Sequence, residues 1–251
     1  SVPTATTQYS LKIQRTAAST STGNIVAAQA LETANSYDLA GSSITLSFWA
    51  KCGANYSATS SILGSFVFFG TGTDQSMSNM RSNAWTGQTN VSQNNTVSTT
   101  WTRFTQTVSC PAGTTQVGMQ FLFTPTGTAG ADDSIYITGV QLEKGSTVTS
   151  FDYRPYGTEL ALCQRYYVQG DFAFGMYGQG GSTGNAASNT VYFPVELRAT
   201  PTVALSSLSY LNASSASVSS TTTRRFTVNN TSVTAGVNQV TGNYTMTGAE
   251  L

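Results

Sequence analysis

Apolar and polar residues alternate along much of this chain. From Tyr9 to Arg15 the sequence Tyr-Ser-Leu-Lys-Ile-Gln-Arg has the period of two expected of a half-buried strand. Ser43–Lys51 (SITLSFWAK) repeats it, with Ile44, Leu46 and Phe48 on one face and Trp49 on the other. The run Ser61–Phe69 (SILGSFVFF) is apolar enough for a central strand buried on both faces. Trp101–Val108 sets Trp101, Arg103, Thr105 and Thr107 against Thr102, Phe104, Gln106 and Val108. Val117, Met119, Phe121 and Phe123 share one face of the next strand, and Ser134–Leu142 gives another. Between these, residues 24–36 read either as a short helix or as a strand followed by a loop. Thr71–Thr99 reads as loops around one or two short strands anchored on Trp85. Cys110-Pro111-Ala112-Gly113 is a turn and Thr124–Asp133 a Pro/Gly loop. Short strands at this spacing predict a jelly-roll β-sandwich over residues 1–155.

The pattern changes near Pro155. Thr158–Tyr167 is the best helical candidate, with Thr158 as its cap, Glu159 in its first turn and apolar residues at Leu160, Leu162, Cys163 and Tyr166. An aromatic-glycine segment and a Gly/Ser loop at 180–189 follow. Alternation returns at Thr190–Leu197, 202–211, 224–229 and 239–246. The fold class expected is all-β: a jelly roll, then a short helix and a second, smaller β domain spanning 156–251.

Composition narrows the function. Charged residues are 9% of the chain, with 11 cations balanced by 11 anions, well below the roughly one quarter usual for soluble domains. Arg224-Arg225 is the one local cluster, so the basic stripe that nucleic-acid binding requires is missing. The 12 Phe, 12 Tyr and 3 Trp favour folded strands over the disorder that a Ser/Thr-rich chain can also signal. No apolar run approaches the ~20 residues that span a bilayer, and membrane insertion is not expected. Cys52, Cys110 and Cys163 form no CxxC pair; they read as small buried hydrophobes, or with Cys52 and Cys110 bridged. Because the first residue is Ser1, the chain reads as processed, trimmed or part of something longer.

The chain has no histidine. That removes Ser-His-Asp and Cys-His catalysis, histidine-ligated zinc and the commonest general base near neutral pH. Glycoside cleavage would need two carboxyls roughly 5–9.5 Å apart. Asp74, Asp132, Asp133, Glu143, Asp152, Asp171 and Glu196 could supply them, but no paired motif does so. No enzymatic activity and no cofactor are expected. Asp132 and Asp133, in a Gly-rich loop, are weak candidates for calcium, since no DxDxDG loop supplies the six to eight oxygens usually needed. Sugar rings stack on flat aromatic faces, which makes Trp85, Phe172, Phe174 and Tyr177 candidate ligand-binding residues, with core packing or a subunit interface as the competing reading.

One long stretch carries a resemblance. Ile137–Tyr167, ITGVQLEKGSTVTSFDYRPYGTELALCQRYY, resembles a signature of phage tail-fibre and related virion-surface proteins. YSLKIQRT, LAGSSITLSFWAKCGANYSA and GTAGADDSIYITGVQLEKGS resemble the same family, so the likeness covers most of residues 9–167. It implies a jelly roll of carbohydrate-binding-module type joined to a variable C-terminal domain, where specific recognition is expected. In that family the jelly roll begins some tens of residues earlier, which implies that the first strands are missing here. Within the signature, Gly139 and Gly145 are expected to turn the chain at a strand end, and Glu143 to meet backbone amides or an arginine such as Arg154. Phe151 and Tyr153 are expected to cover one edge of the sandwich. The function expected is that of a virion-surface protein: a homotrimeric tail fibre or receptor-binding segment that contacts other virion proteins and host polysaccharide. A capsid decoration or head fibre is the alternative, and a polysaccharide depolymerase the third reading.

Overall fold

The computed structural model describes residues 9–177, 186–233 and 237–249. They fall into two compact units, Ser1–Tyr153 and Arg154–Glu250.

In the first unit the strands are β1 (Leu11–Gln14), β2 (Ile25–Ala30), β3 (Ser43–Cys52), β4 (Ile62–Gly70), β5 (Thr89–Thr96), β6 (Thr102–Ser109), β7 (Gln116–Phe123) and β8 (Ser134–Lys144), with a short helix α1 (Met77–Arg81). All pairings are antiparallel, in two sheets ordered β1-β8-β3-β6 and β2-β7-β4-β5. Successive strands mostly pass from one sheet to the other, which is the jelly-roll path. The eight strands supply four to each sheet. Ile44, Leu46 and Phe48 of β3 meet Val117, Phe121 and Phe123 of β7 across the interior, and the Phe48 and Phe121 rings cross edge-on with centroids 4.6 Å apart.

Residues 24–36 resolve into β2 and one 3-10 turn, Thr33–Asn35, and a second turn, Tyr37–Leu39, follows. The stretch 71–99 holds α1 as well as β5. Ser76 caps α1, its side chain accepting the Asn79 amide. Met80 and Trp85 then lie on the outer surface of the β2-β7-β4-β5 sheet against Phe68 and Ala30. Gly118 makes room for them: a Cβ there would sit 2.3 Å from Met80 Sδ.

The β8 strand contains an irregularity that decides which side chains face water. Ile135 and Ile137 point inward, so strict alternation would send Gln141 and Glu143 into the core. At Gly139 the backbone takes a left-handed φ of +56° and the register against β3 slips between Ser47 and Trp49. The extra residue switches the parity, so Leu142 packs on the core and Gln141 and Glu143 turn outward. Gly139 therefore works inside the strand, not at its end; Gly145, with φ +116°, ends it.

The second unit holds a helix α2 (Tyr156–Gln164) and strands β9 (Gln169–Tyr177), β10 (Ala186–Tyr192), β11 (Thr202–Leu211), β12 (Ala213–Ser219), β13 (Arg225–Ser232) and β14 (Val237–Thr247). They form sheets β10-β13-β12 and β11-β14-β9 around Phe172, Phe193, Phe226, Val240, Tyr244 and Met246. The helix begins two residues before the predicted start. Pro155 takes the cap position without a side-chain bond, and its carbonyl accepts the Thr158 and Glu159 amides, so Thr158 lies within the first turn instead of capping it. Leu160 and Leu162 are exposed. β10 stops at Tyr192, just before Pro194, which has no amide hydrogen for a ladder. The predicted Gly/Ser loop at 180–189 lies largely outside the described residues.

Candidate functional site

The outer face of the β1-β8-β3-β6 sheet is where the strand pattern places chemistry. On β1, Ile13 packs inward and Lys12 outward; on β8, Tyr136 stands between inward Ile135 and Ile137; on β3, Lys51 stands between buried Ala50 and Cys52. Lys12 and Lys51 both pair with Tyr136 across the ladder, and Trp101, one residue before β6, extends the same row beyond Lys51. The row Lys12–Tyr136–Lys51–Trp101 thus crosses β1, β8 and β3 and reaches the residue before β6. The Lys12 ammonium lies 5.3 Å from the Tyr136 ring centroid; that of Lys51 lies 4.8 Å from Tyr136 and 5.4 Å from Trp101. The Trp101 and Tyr136 rings meet edge-on at 6.5 Å. Each cation–π contact is worth about 0.5–1 kcal/mol at an exposed site, which favours this arrangement by about two- to five-fold. Trp49 pairs with Thr138 and Arg103 in the neighbouring row.

The far end of this face is strapped by residues 149–152. Arg103 donates to Ser47 Oγ and to the Thr149 carbonyl. Gln141 donates to Thr149 Oγ1 and the Ser150 carbonyl, and accepts the Asp152 amide. Glu143 accepts the Thr149 amide at 3.0 Å and its hydroxyl at 2.6 Å. Desolvation pulls the Glu143 carboxyl toward protonation, but these bonds, Gln141 and the Arg103 charge together outweigh it and hold its pKa below the usual value. Arg154 pairs instead with Glu159, at 3.6 Å. Tyr153 is exposed and Phe151 half-buried.

The sequence candidates fall elsewhere. Trp85 is 4% exposed, with its indole N–H donated to the Ser76 carbonyl, so it offers no face to a sugar. Its correction follows from α1, which the sequence reading lacked: the helix folds the tryptophan onto the sheet. Phe172 is 6% exposed and stacks on half-buried Phe174 at 5.1 Å in the second core, because period two points both inward from β9. Tyr177 ends β9, and its side chain lies outside the described residues. Asp133 is fully buried against Arg15, and both its oxygens are taken by Ser57 and Arg15. Asp132 accepts the Ser134 hydroxyl and the Ala54 amide; these bonds, with the charges of Lys12 and Lys51, depress its pKa. Among the described residues no group of three metal-ligating side chains occurs. Cys52 and Cys110 are free, at opposite ends of the β3–β6 pair, about ten residues or roughly 34 Å of strand apart, too far for a bridge.

The sequence matches no protein-family model, and no curated protein matches it. Solved structures with a similar arrangement include a bacteriophage CBA120 tailspike protein 4 enzymatically active domain, at 16% identity and TM-score 0.33 over 51% of this chain. The chain spans about 15% of the length of that tailspike chain. A CBM4 is 18% identical with TM-score 0.31, covering 53% of this chain and 70% of its own. A family 16 carbohydrate binding module-2 is 13% identical with TM-score 0.32, covering 53% and 75%. At these scores the likenesses carry no functional weight.

Proposed function

We propose that this chain is a glycan-binding protein of a phage virion surface, acting by adhesion and not by catalysis. The observation that carries the reading is the row Lys12–Tyr136–Lys51–Trp101 with Trp49 beside it. It is an aromatic and polar strip on a sheet face, where rings can stack on sugars and amines can bond hydroxyls. The virion context rests on the resemblance at Ile137–Tyr167, and a tail-fibre or receptor-binding segment is preferred to a capsid decoration. Adhesion is supported by four of the seven candidate carboxylates, since Asp133, Asp132, Glu143 and Glu196 each accept from protein donors. Exposed Leu160 and Leu162 on α2 support a homotrimer, which light scattering would detect.

The test is retention of the chain on gels containing polysaccharides from candidate hosts, comparing the native protein with Trp101→Ala and Tyr136→Ala. Retardation that both substitutions abolish, with melting temperatures preserved, is the expected result. Migration unchanged by every polysaccharide, or unchanged by the substitutions, would overturn it.

A further inference from the structure

The lysines in the row say more than that sugars bind there. The chain has only 11 cations in 251 residues, yet two of them flank one tyrosine ring on one sheet face. We infer that the glycan held by this face is acidic, with carboxylates or sulfate esters paired to the Lys12 and Lys51 ammonium groups on either side of Tyr136 while a sugar ring lies against Trp101. The inference rests on the binding face proposed above.

Three observations carry it. Each ammonium has one side turned to an aromatic ring at 4.8–5.4 Å, and an ammonium has three N–H donors, which leaves donors directed away from the ring. Among the described residues neither lysine closes an ion pair: the recorded pairs are Arg15–Asp133, Arg154–Glu159 and Arg224–Glu196. Asp132, whose pKa the two lysine charges help to depress, is bonded to Ser134 and Ala54 in its own loop and sets one negative charge against the two cations, which leaves an excess of positive charge. The rings also bias the lysine stems toward this arrangement before any ligand arrives, which lowers the entropy lost when an anion is bound. A neutral sugar would use the rings and leave that excess positive charge unmatched. An anion uses both.

The experiment uses the full chain in affinity gels with four polymers: polygalacturonate, its methyl ester, dextran sulfate and dextran. Retention is expected on an acidic polymer and weak on its neutral counterpart, and the preferred polymer names the anionic group. It should fall as salt rises from 0.05 to 0.5 M, where screening shortens to roughly 4 Å. The Lys12→Gln/Lys51→Gln double variant should lose affinity by about 2- to 30-fold, the range of two exposed ion pairs, and with it the preference for acid. Trp101→Ala should weaken all sugar binding. Retention of the methyl ester or dextran equal to that of the acids, sensitive to Trp101→Ala but not to the lysine substitutions, overturns the acidic assignment while the glycan reading stands. Retention on none of the four nor on host polysaccharide overturns both. Melting curves of each variant keep loss of fold separate from loss of binding.

Discussion

Arg15 and Asp133 meet at 2.8 Å with neither side chain more than 3% exposed. Arg15 also donates to the carbonyls of Ser19, Ser21 and Gly127, while Asp133 accepts the Ser57 amide and hydroxyl. One ion pair therefore ties the end of β1 to the loops before β4 and β8, and the last of these leads directly to Tyr136. Removing one partner leaves a buried charge unmatched. Asp133→Ala is expected to cost about 3–5 kcal/mol in urea denaturation, and Arg15→Met/Asp133→Leu less than the two single changes added together.

The two tryptophans on opposite sheets should separate cleanly in experiment. Trp101→Ala is expected to leave the denaturation midpoint nearly unchanged and weaken glycan retention by about 2- to 12-fold, the worth of one ring contact. Trp85→Ala empties a packed site over Gly118 and is expected to cost about 3–5 kcal/mol of stability, with retention per folded molecule unchanged. A loss of retention on replacing Trp85 alone would assign the site to the wrong sheet.

Gly139 can be tested by its backbone. Any L-residue at φ +56° is strained, and Gly139→Ala is expected to lower stability by about 1–2 kcal/mol. If stability is unaffected, the bulge does not depend on glycine.

The thiols differ in access. Burial raises the pKa of Cys52 and Cys110, while Cys163 is exposed on α2. A thiol reagent at pH 8 should titrate one cysteine in the native protein and three after unfolding. With folded thiol pKa values above the unfolded value, the buried pair favours the native state below the unfolded pKa, and this contribution is lost as pH rises through the folded one. Stability should therefore decline in the alkaline range, and Cys52→Ala/Cys110→Ala should flatten that decline.

Glu143 gives the opposite slope. Its depressed pKa contributes stability above the unfolded carboxyl value, and this is lost as pH falls through the folded value. Amide exchange at Thr149, whose N–H it accepts, should quicken below about pH 4 relative to the core amides. Glu143→Gln should remove that pH dependence.

The strands of the first unit were legible because their signal is local. Ile44, Leu46 and Phe48 alternate with polar residues, and the same alternation put Trp49 and Trp101 on the face away from the core. That was the available signal for the site, since two tryptophans on a solvent face ask for an explanation. The rest was not legible because it depends on partners far apart in sequence. Lys12, Lys51, Trp101 and Tyr136 become neighbours only through the strand order, and no spacing in the chain announces it. Trp85 misled because α1 is five residues long and weakly patterned. In the second unit β12, ASSASVS, offers only Ala213, Ala216 and Val218 to the core, too little apolar contrast to mark a strand.

The parity switch at Gly139 has a further effect on how this surface can change over generations. It separates the outer face into a half fixed by Gln141, Glu143 and Arg103, whose bonds hold the strap, and a half formed by four side chains from four strand regions that share no turn. Substitution at Lys12, Tyr136 or Lys51, which stand within strands and outside the core cluster, alters what the surface attracts without disturbing a loop, a bulge or a core contact. Such a surface can exchange one rung at a time, each step keeping the fold, while the glycine keeps the other half in place.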